Sequence, residues 1–250
     1  MQPLPGDDDV AAAIATEAGE RLLAVRASGL VGADLKDAGD AASHDLIMAA
    51  LAARRPGDAV LSEEGADDQT RLGRPRVWIV DPLDGTREFS EPGREDWAVH
   101  VALAFDGAVT VGAVALPARG LTLHTGGALP APAEHAGGPR VLVSRTRPTE
   151  HALAIAEALG GELIPMGSAG AKAMAVVLGE AEIYAHSGGQ YEWDSAAPVA
   201  VAAAAGLHVS RLDGSPLVYN RPDPWLPDLL VCRPEYAEAV IEICRATVTP

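Results

Sequence analysis

The chain has 250 residues, of which 48% are hydrophobic and 22% charged, as in a globular protein with a substantial core. Its net charge of −16, from 35 acidic and 19 basic residues, argues against a nucleic-acid polymer as partner, because a phosphate backbone needs clustered Lys and Arg. The sequence shows no secretory signal and no apolar run of membrane-spanning length, so we expect a cytoplasmic protein with no membrane partner.

The first half of the chain is predicted to form helices followed by an antiparallel sheet. In chain order, the pattern of apolar residues predicts helices over 7–29 and 41–55 and strands over 59–62, 77–80, 97–105, 108–116 and 121–123. Asp106-Gly107 between two of these strands is a strong hairpin signal.

The second half is predicted to alternate strands and helices, which is typical of an α/β fold. Residues 126–139 are rich in Gly, Pro and Ala and mark a junction, so we expect an N-terminal α+β subdomain over 1–130 and a C-terminal α/β subdomain over 131–250. The predicted elements here are strands over 141–144, 163–164, 182–185 and 229–232 and helices over 149–159, 169–178, 195–205 and 234–245, with a Gly-rich loop before Trp193.

The segment with the clearest chemistry is Asp81-Pro82-Leu83-Asp84-Gly85-Thr86, which follows a predicted buried strand. Two carboxylates three residues apart and the Leu83 carbonyl between them offer an all-oxygen ligand set, which suits Mg²⁺. Gly85 and Thr86 can present free backbone N–H groups to a phosphate at a helix start. An isolated Asp-Gly would indicate only a polar turn, but the whole hexapeptide after a strand favours a metal site.

Three other acidic residues are candidates for the same site. Glu63 follows a predicted strand, as Asp81 does, so neighbouring strands can bring both carboxylates to one sheet edge. Asp194 opens a predicted helix, and Asp40 lies just before one, where each could instead serve only as a helix cap.

Two signatures in the chain resemble those of the lithium-sensitive, Mg²⁺-dependent phosphatases that include inositol monophosphatase and the bisphosphate nucleotidases. They are Asp81 to Thr86 and Trp193-Asp194-Ser195-Ala196-Ala197, with Glu63-Glu64 upstream. The resemblance covers essentially the whole chain and implies a layered αβαβα fold with the site between two subdomains. Similar proteins are often homodimers, so a homodimer is possible here.

The resemblance implies a set of site residues. Two or three Mg²⁺ ions would be held by Glu63, Asp81, the Leu83 carbonyl, Asp84 and Asp194, with Asp40 near an additional ion. Thr86 with Asp40 or Glu63 would orient and deprotonate the attacking water, with no covalent enzyme intermediate. Substrate contacts are expected from Glu63, Leu83, Asp84, Gly85, Thr86, Arg145, Ser168, Lys172 and Asp194.

Within the family, the chain is most similar to the CysQ-type 3′-phosphoadenosine-5′-phosphate phosphatases. Thr86-Arg87-Glu88-Phe89, Ser144-Arg145 and Ser168 with Lys172 resemble that subgroup, and Ser187 stands where inositol phosphatases carry a Glu. His186 and Asp37 depart from the pattern, at positions where the nucleotidases tend to have Arg and the family usually places Thr.

The expected activity is therefore hydrolysis of the 3′-phosphate of 3′-phosphoadenosine 5′-phosphate to AMP, which clears a by-product of sulfate assimilation. The alternatives are an inositol-1-phosphate or fructose-1,6-bisphosphate phosphatase and, from another class, a non-catalytic sensor of Mg²⁺ and a phosphorylated ligand. A haloacid-dehalogenase-type phosphatase is excluded, because its nucleophilic Asp would fall at Pro82.

Several other residues are expected to be structural. His100, His124 and His208 lie in strand-like runs, and Trp193 is expected to pack against the core and position Asp194. Lys172 could be a solvated surface charge rather than a substrate contact. Cys232 and Cys244 are expected to be buried and reduced, since no His or Cys cluster accompanies them.

Overall fold

Two five-stranded sheets and the helices that pack on them form the structure, a computed structural model that describes residues 4, 6–130 and 135–247. Its helices are α1 (Asp7–Arg26), α2 (Gly32–Arg54), α3 (Thr86–Ser90), α4 (Glu150–Leu159), α5 (Ala169–Val177), α6 (Glu192–Ala204) and α7 (Ala237–Thr247). Its strands are β1 (Ala59–Ser62), β2 (Arg76–Asp84), β3 (Ala98–Phe105), β4 (Ala108–Leu116), β5 (Leu121–His124), β6 (Arg140–Ser144), β7 (Glu162–Met166), β8 (Ile183–Tyr191), β9 (His208–Ser210) and β10 (Trp225–Cys232).

The first sheet has the strand order β1-β2-β3-β4-β5. Strands β1 and β2 are parallel, and the other neighbours are antiparallel. Because successive side chains of a strand point to opposite faces, Trp78 and Val80 of β2 pack with helices α1 and α2, whereas Val77 and Ile79 pack toward the second sheet. Both faces of this sheet are therefore covered, which explains why β2 is apolar over most of its length.

The second sheet has the order β7-β6-β8-β10-β9. Helix α6 contacts strands of both sheets and lies between them with α5, while α4 and α7 cover the outer face of the second sheet. The layers therefore alternate helix, sheet, helix, sheet, helix, which confirms the predicted αβαβα architecture. The middle helix layer carries the N-termini of α5 and α6 to the edge where β2 ends.

Several predicted boundaries were wrong, and four of them lie near the site. Helix α2 begins at Gly32 and not near 41, so Asp40 lies inside the helix and is not its cap. Gly39 lies within this helix, and a Cβ there would come within 2.8 Å of a Phe89 ring carbon. Strand β2 continues through Asp84, with an irregular pairing to β3 between Asp81 and Asp84.

The other two corrections concern the segment before Asp194. The predicted Gly-rich loop is the second half of strand β8, which runs through Gly188 and Gly189 and pairs with β10 across a β-bulge. Helix α6 begins at Glu192, so Asp194 is the third residue of its first turn and not the residue before it. Strand β9 was not among the predicted elements, although its first residue, His208, was placed in a strand-like run.

Three further predicted boundaries differ from the structure: α1 ends at Arg26 and not at 29, β10 begins at Trp225 and not at 229, and α7 begins at Ala237 and not at 234. Cys232 and Cys244 are both buried and free, as expected. Part of the expected junction, residues 131–134, lies outside the described residues, and the subdomain boundary after 130 stays a prediction. Within the described part of the chain, no helix combines the length and apolar character needed to cross a bilayer.

Candidate active site

The site is built where the parallel strands β1 and β2 end. The backbone N–H of Glu63, just after β1, donates to the Val80 carbonyl at 3.3 Å, which sets Glu63 beside Asp81. The carboxyl ends of neighbouring parallel strands thus deliver both acids to one sheet edge, as the sequence predicted. The Asp81 carboxylate also accepts a hydrogen bond from the Leu83 N–H at 3.0 Å, which orients the chain between the two aspartates.

Asp194 reaches the same place from the middle helix layer. Its carboxylate accepts the Tyr191 backbone N–H at 2.6 Å at the start of α6. One oxygen each of Asp81, Asp84 and Asp194 lies within 4.8 Å of the others, and the two strand residues are buried. Three carboxylate oxygens at this separation can hold a hard divalent cation.

Burial and mutual repulsion dominate the electrostatics of this cluster. Burial, followed by the charges of Glu63 and Asp84, raises the pKa of Asp81 well above its ordinary value. Burial and the charge of Asp84 raise the pKa of Asp194 to about 7. Such carboxylates are costly to ionise unless a cation joins them, so the cluster fits a metal centre.

His100 is the only ion-pair partner of these three aspartates among the described residues. It is fully buried on β3, directly opposite Asp81, and its Nε2 lies 3.3 Å from an Asp84 oxygen. Its Nδ1 lies 3.0 Å from the Trp193 carbonyl oxygen, which can only accept, so Nδ1 carries a proton. Burial lowers the pKa of His100, but the neighbouring Asp84 outweighs burial and the net pKa is raised.

Asp84 has a second role at the start of α5. Its carboxylate accepts hydrogen bonds from the Gly170 N–H at 2.6 Å, the Ala169 N–H at 3.1 Å and the Ser168 hydroxyl. Burial alone would raise the pKa of Asp84, but His100 and these donors lower it to about 2. Asp84 therefore ties β2 to the middle helix layer, a structural role that the sequence did not reveal.

Thr86 begins the short helix α3, and the preceding Gly85 has the left-handed conformation expected of glycine, with φ of 86°. The Thr86 hydroxyl donates to the Leu83 carbonyl at 3.2 Å, so the hydroxyl and one expected oxygen ligand are adjacent. Asp40, on α2, is half-buried, and burial with the charges of Glu64 and Asp37 raises its pKa to about 7.

Two of the expected substrate residues lie at the start of α5. Lys172 is buried, and its Nζ donates to the Ser168 carbonyl at 2.5 Å and the Gly167 carbonyl at 3.3 Å. The alternative of a solvated surface lysine was therefore wrong. Burial lowers the pKa of Lys172, although nearby acids, Asp84 first among them, oppose that shift.

Arg145 lies across a cleft of about 490 Å³ that also contains Ser168 and Lys172. Its guanidinium donates to the Glu88 carboxylate at 3.0 Å and to the Glu91 carboxylate at 3.1 Å. Arg145 thus has protein partners in this structure, and its predicted substrate contact stays a prediction.

A second cleft, of about 380 Å³, adjoins the first and shares Ser168 and Lys172 with it. Asp84 and Asp194 lie in it, and its outer wall carries Tyr191 and Trp225. Ser187, by contrast, hydrogen-bonds His151 at 3.0 Å in a neighbouring cleft. Trp193 packs against the core as predicted and stacks on Tyr191.

Sequence reasoning missed His100, Tyr191 and Trp225 as site residues. His100 could have been found by pairing the predicted strand 97–105 with the strand before it. In the structure, that pairing sets His100 opposite Asp81. No comparable local signal marks Trp225, because its place at the cleft depends on the pairing of β10 with β8.

Comparison with known proteins agrees with this geometry. The model of the inositol monophosphatase family matches residues 8–248. A protein of Mycobacterium leprae named 3′-phosphoadenosine 5′-phosphate phosphatase is 51% identical over 255 aligned residues, covering 96% of this chain and 93% of that protein. The 3′(2′),5′-bisphosphate nucleotidase CysQ of Escherichia coli is 33% identical over 76% of this chain and 81% of its own length.

A solved structure shows the same fold. The crystal structure of CysQ from Bacteroides thetaiotaomicron, a bacterial member of the inositol monophosphatase family, superposes with a TM-score of 0.77. The two chains are 28% identical, and the match covers 91% of this chain and 97% of the other.

Proposed function

Since the chain belongs to the inositol monophosphatase family, we propose that it is a Mg²⁺-dependent phosphatase that hydrolyses 3′-phosphoadenosine 5′-phosphate to AMP and phosphate. The observation that carries this proposal is the 51% identity, over 96% of the chain, to a relative named for that activity. The cluster of buried carboxylates beside a cleft with a buried lysine supplies the chemistry that such a reaction needs. By this reaction, the protein would clear a by-product of sulfate assimilation.

The residues proposed to hold the metal are Glu63, Asp81, the Leu83 carbonyl, Asp84 and Asp194. Their donor set is entirely oxygen, and burial makes the charged forms of Asp81 and Asp194 costly without a cation. Two or three Mg²⁺ ions are proposed. A bound divalent cation supplies Lewis acidity for the phosphate oxygens and for the water nucleophile.

The protein groups around this centre have separate tasks. The N–H groups at Gly85 and Thr86 face the phosphate, and the Thr86 hydroxyl, held by the Leu83 carbonyl, orients the attacking water. Glu63 or Asp40 accepts the proton of that water, a general-base role that requires hydrogen-bond reach. Water attacks phosphorus directly in this scheme, so no enzyme side chain becomes phosphorylated.

The nucleotide preference rests on the cleft beside the metal ligands. Lys172 and Ser168 line the same cleft as Asp84, and their side chains are the proposed polar contacts for a phosphorylated sugar. Arg145 joins them if substrate displaces one of its carboxylate partners. Ser187 offers no carboxylate for the hydroxyls of an inositol ring, and its own hydroxyl is hydrogen-bonded to His151.

A turnover assay with matched substrates tests the proposal. The specificity constant for 3′-phosphoadenosine 5′-phosphate should exceed that for inositol 1-phosphate by at least about tenfold, or about 1.4 kcal/mol of transition-state binding. Fructose 1,6-bisphosphate serves as a third substrate, and an EDTA-treated sample should release no phosphate until Mg²⁺ is returned. Equal constants for the adenosine and inositol substrates would contradict the nucleotide preference. Absence of turnover on all three would favour a non-catalytic sensor.

Three broader features are inferred from the family resemblance alone. They are a homodimeric assembly, inhibition by lithium and a cytoplasmic location. Sedimentation equilibrium, a lithium titration of turnover and cell fractionation test them in that order. Asp37, which replaces the usual Thr, makes the lithium response the most informative of the three.

A further inference from the structure

The aromatic side chains of this protein are few and almost all hidden. There are ten, four Trp, four Tyr and two Phe, and all lie in the described part of the chain. Only Tyr191 and Trp225 are exposed, each at 46% of its surface. Both lie on the wall of the cleft that contains Asp84 and Asp194. The exposed aromatic surface is thus concentrated at the mouth of the candidate active site.

The backbone sets these two residues side by side. Tyr191 ends β8 and Trp225 begins β10, and they are directly opposite in the antiparallel register, so their side chains emerge on the same face. The Tyr191 ring stacks on the half-buried Trp193 ring, with centroids 4.7 Å apart and planes 13° apart. This stacking holds the Tyr191 ring in place.

Gly189 makes room for the other ring. Its φ is +91°, and a Cβ added there would lie 2.6 Å from the Trp225 indole nitrogen and about 3 Å from two of its ring carbons. The indole therefore lies directly against the backbone of β8. Any other residue at 189 would push the indole away and would also be strained at this φ.

We propose that Tyr191 and Trp225 form a base-stacking face, on which the heterocyclic base of a nucleotide substrate packs while its phosphate lies at Asp84 and Asp194. This inference rests on the proposed function and adds the residues that select a nucleoside over a polyol phosphate. Stacking of a base on an aromatic side chain contributes about 1–3 kcal/mol, whereas a polyol has no flat π-surface to stack. The aromatic pair thereby distinguishes substrates that share the same phosphate chemistry.

The test compares two substrates that differ only in the base. They are 3′-phosphoadenosine 5′-phosphate and ribose 3,5-bisphosphate, and the readout is the ratio of their specificity constants. Trp225→Ala should lower this ratio about tenfold, equivalent to about 1.4 kcal/mol, mainly through KM for the nucleotide. Trp225→Phe, which keeps a ring, should restore most of the ratio. Gly189→Ala, which displaces the indole, should lower it.

The matched control is Leu153→Ala, which removes an apolar side chain that is 44% exposed on α4, outside the cleft. The ratio of specificity constants for this variant should equal that of the wild type. A Trp225→Ala ratio within twofold of the wild type, or an equal loss on both substrates, would overturn the inference. Thermal unfolding of each variant identifies any that fail to fold. If Trp225→Ala does, Gly189→Ala gives the comparison, and a wild-type ratio in that variant would overturn the inference.

A binding measurement separates this inference from the proposed function. If the wild type hydrolyses neither bisphosphate, the proposed activity fails, but calorimetry with AMP still tests the aromatic face. AMP should bind about tenfold more weakly to Trp225→Ala than to the wild type. Equal affinities would overturn the base-stacking face whatever the enzyme's reaction.

Discussion

Strand β2 has buried charged residues at both ends, and their neighbours differ. At its start, acids and arginines form ion pairs, whereas at its end Asp81 lies among other carboxylates. At its start, the Arg76 guanidinium donates to Asp7 at 2.9 and 3.0 Å and to Asp58 at 2.7 and 2.8 Å. Arg55 adds a further ion pair to Asp7 at 2.7 Å. At its end, Asp81 meets Glu63, Asp84 and Asp194, three groups of its own charge.

The pKa values follow this difference. Burial alone would raise the pKa of Asp7, but hydrogen bonds from Arg76 and Arg55 outweigh burial and lower it. Asp81 is buried to the same degree without such a partner, and its pKa is raised. The comparison teaches that an arginine partner keeps a buried carboxylate in its charged form, whereas a cluster of carboxylates without one is costly to ionise unless a cation joins it.

The largest expected effect comes from removing one unpaired acid. Asp81→Asn should lower turnover by more than about a hundredfold, because loss of a direct ligand exceeds the usual 10–100-fold cost of losing an outer-shell partner. The same substitution removes repulsion from the metal-free site, so its thermal unfolding without Mg²⁺ should be no lower than that of the wild type. Turnover at saturating Mg²⁺ and unfolding in EDTA measure both. A strong loss of metal-free stability would contradict the comparison.

Asp81 is a better choice than Asp84 for this test. Asn at 84 would also lose hydrogen bonds to the start of α5, because an amide nitrogen cannot accept from Ala169, Gly170 or Ser168. A loss of turnover in Asp84→Asn could therefore come from weaker metal binding or from altered packing of the middle helix layer.

The opposite end of β2 should show the reverse result. Asp7→Asn should cost about 3 kcal/mol in the free energy of unfolding, since it leaves buried arginines short of a partner. Turnover of the folded enzyme should not change. Arg119→Gln, which removes the exposed ion pair to Glu180, is the control and should cost no more than about 1 kcal/mol. Urea unfolding measures the stability of each variant, and a parallel assay measures its turnover. If Asp7→Asn lost as much turnover as Asp81→Asn, the two ends of β2 would not differ in role.

A smaller effect is expected in the pH dependence of stability. A carboxyl whose pKa is lower in the folded than in the unfolded protein stabilises the fold above its ordinary pKa, and this contribution is lost as pH falls through the folded pKa. For Asp7 the loss should occur below its ordinary value of 3.8. Asp7→Asn should therefore be less sensitive to acid than the wild type between about pH 5 and 2. If the wild type and Asp7→Asn lost the same stability as the pH falls, Asp7 would gain no stabilisation from its arginines.

The elements that sequence reasoning located well are those with local signals. Strand β1 has the predicted bounds, and the turn at Asp106-Gly107 joins β3 and β4 as expected. These predictions succeeded because short apolar runs and turn residues are local signals that depend on only a few positions. The acidic residues at the end of β2 were likewise found from their place after a strand.

The rest could not be predicted because it depends on contacts between distant segments. Gly39 lies inside α2, outside the predicted bounds of 41–55, and its lack of a Cβ leaves room for the Phe89 ring. Gly189 looked like part of a loop, yet it lies in a strand and supports the Trp225 ring. His100 meets Asp84 only through the register of β3 on β2. In each case the deciding partner is far away in the sequence.

Calorimetric titration of Mg²⁺ into EDTA-stripped protein, before any substrate is added, tests the central claim most directly. The claim is that the cluster of carboxylates around Asp81, at the end of β2, binds a divalent cation, while the arginine-paired acids at its start do not. The wild type and Asp7→Asn should bind Mg²⁺ with the same affinity, and Asp81→Asn should bind more than about tenfold more weakly. Wild-type affinity in Asp81→Asn, or lost binding in Asp7→Asn, would contradict the account.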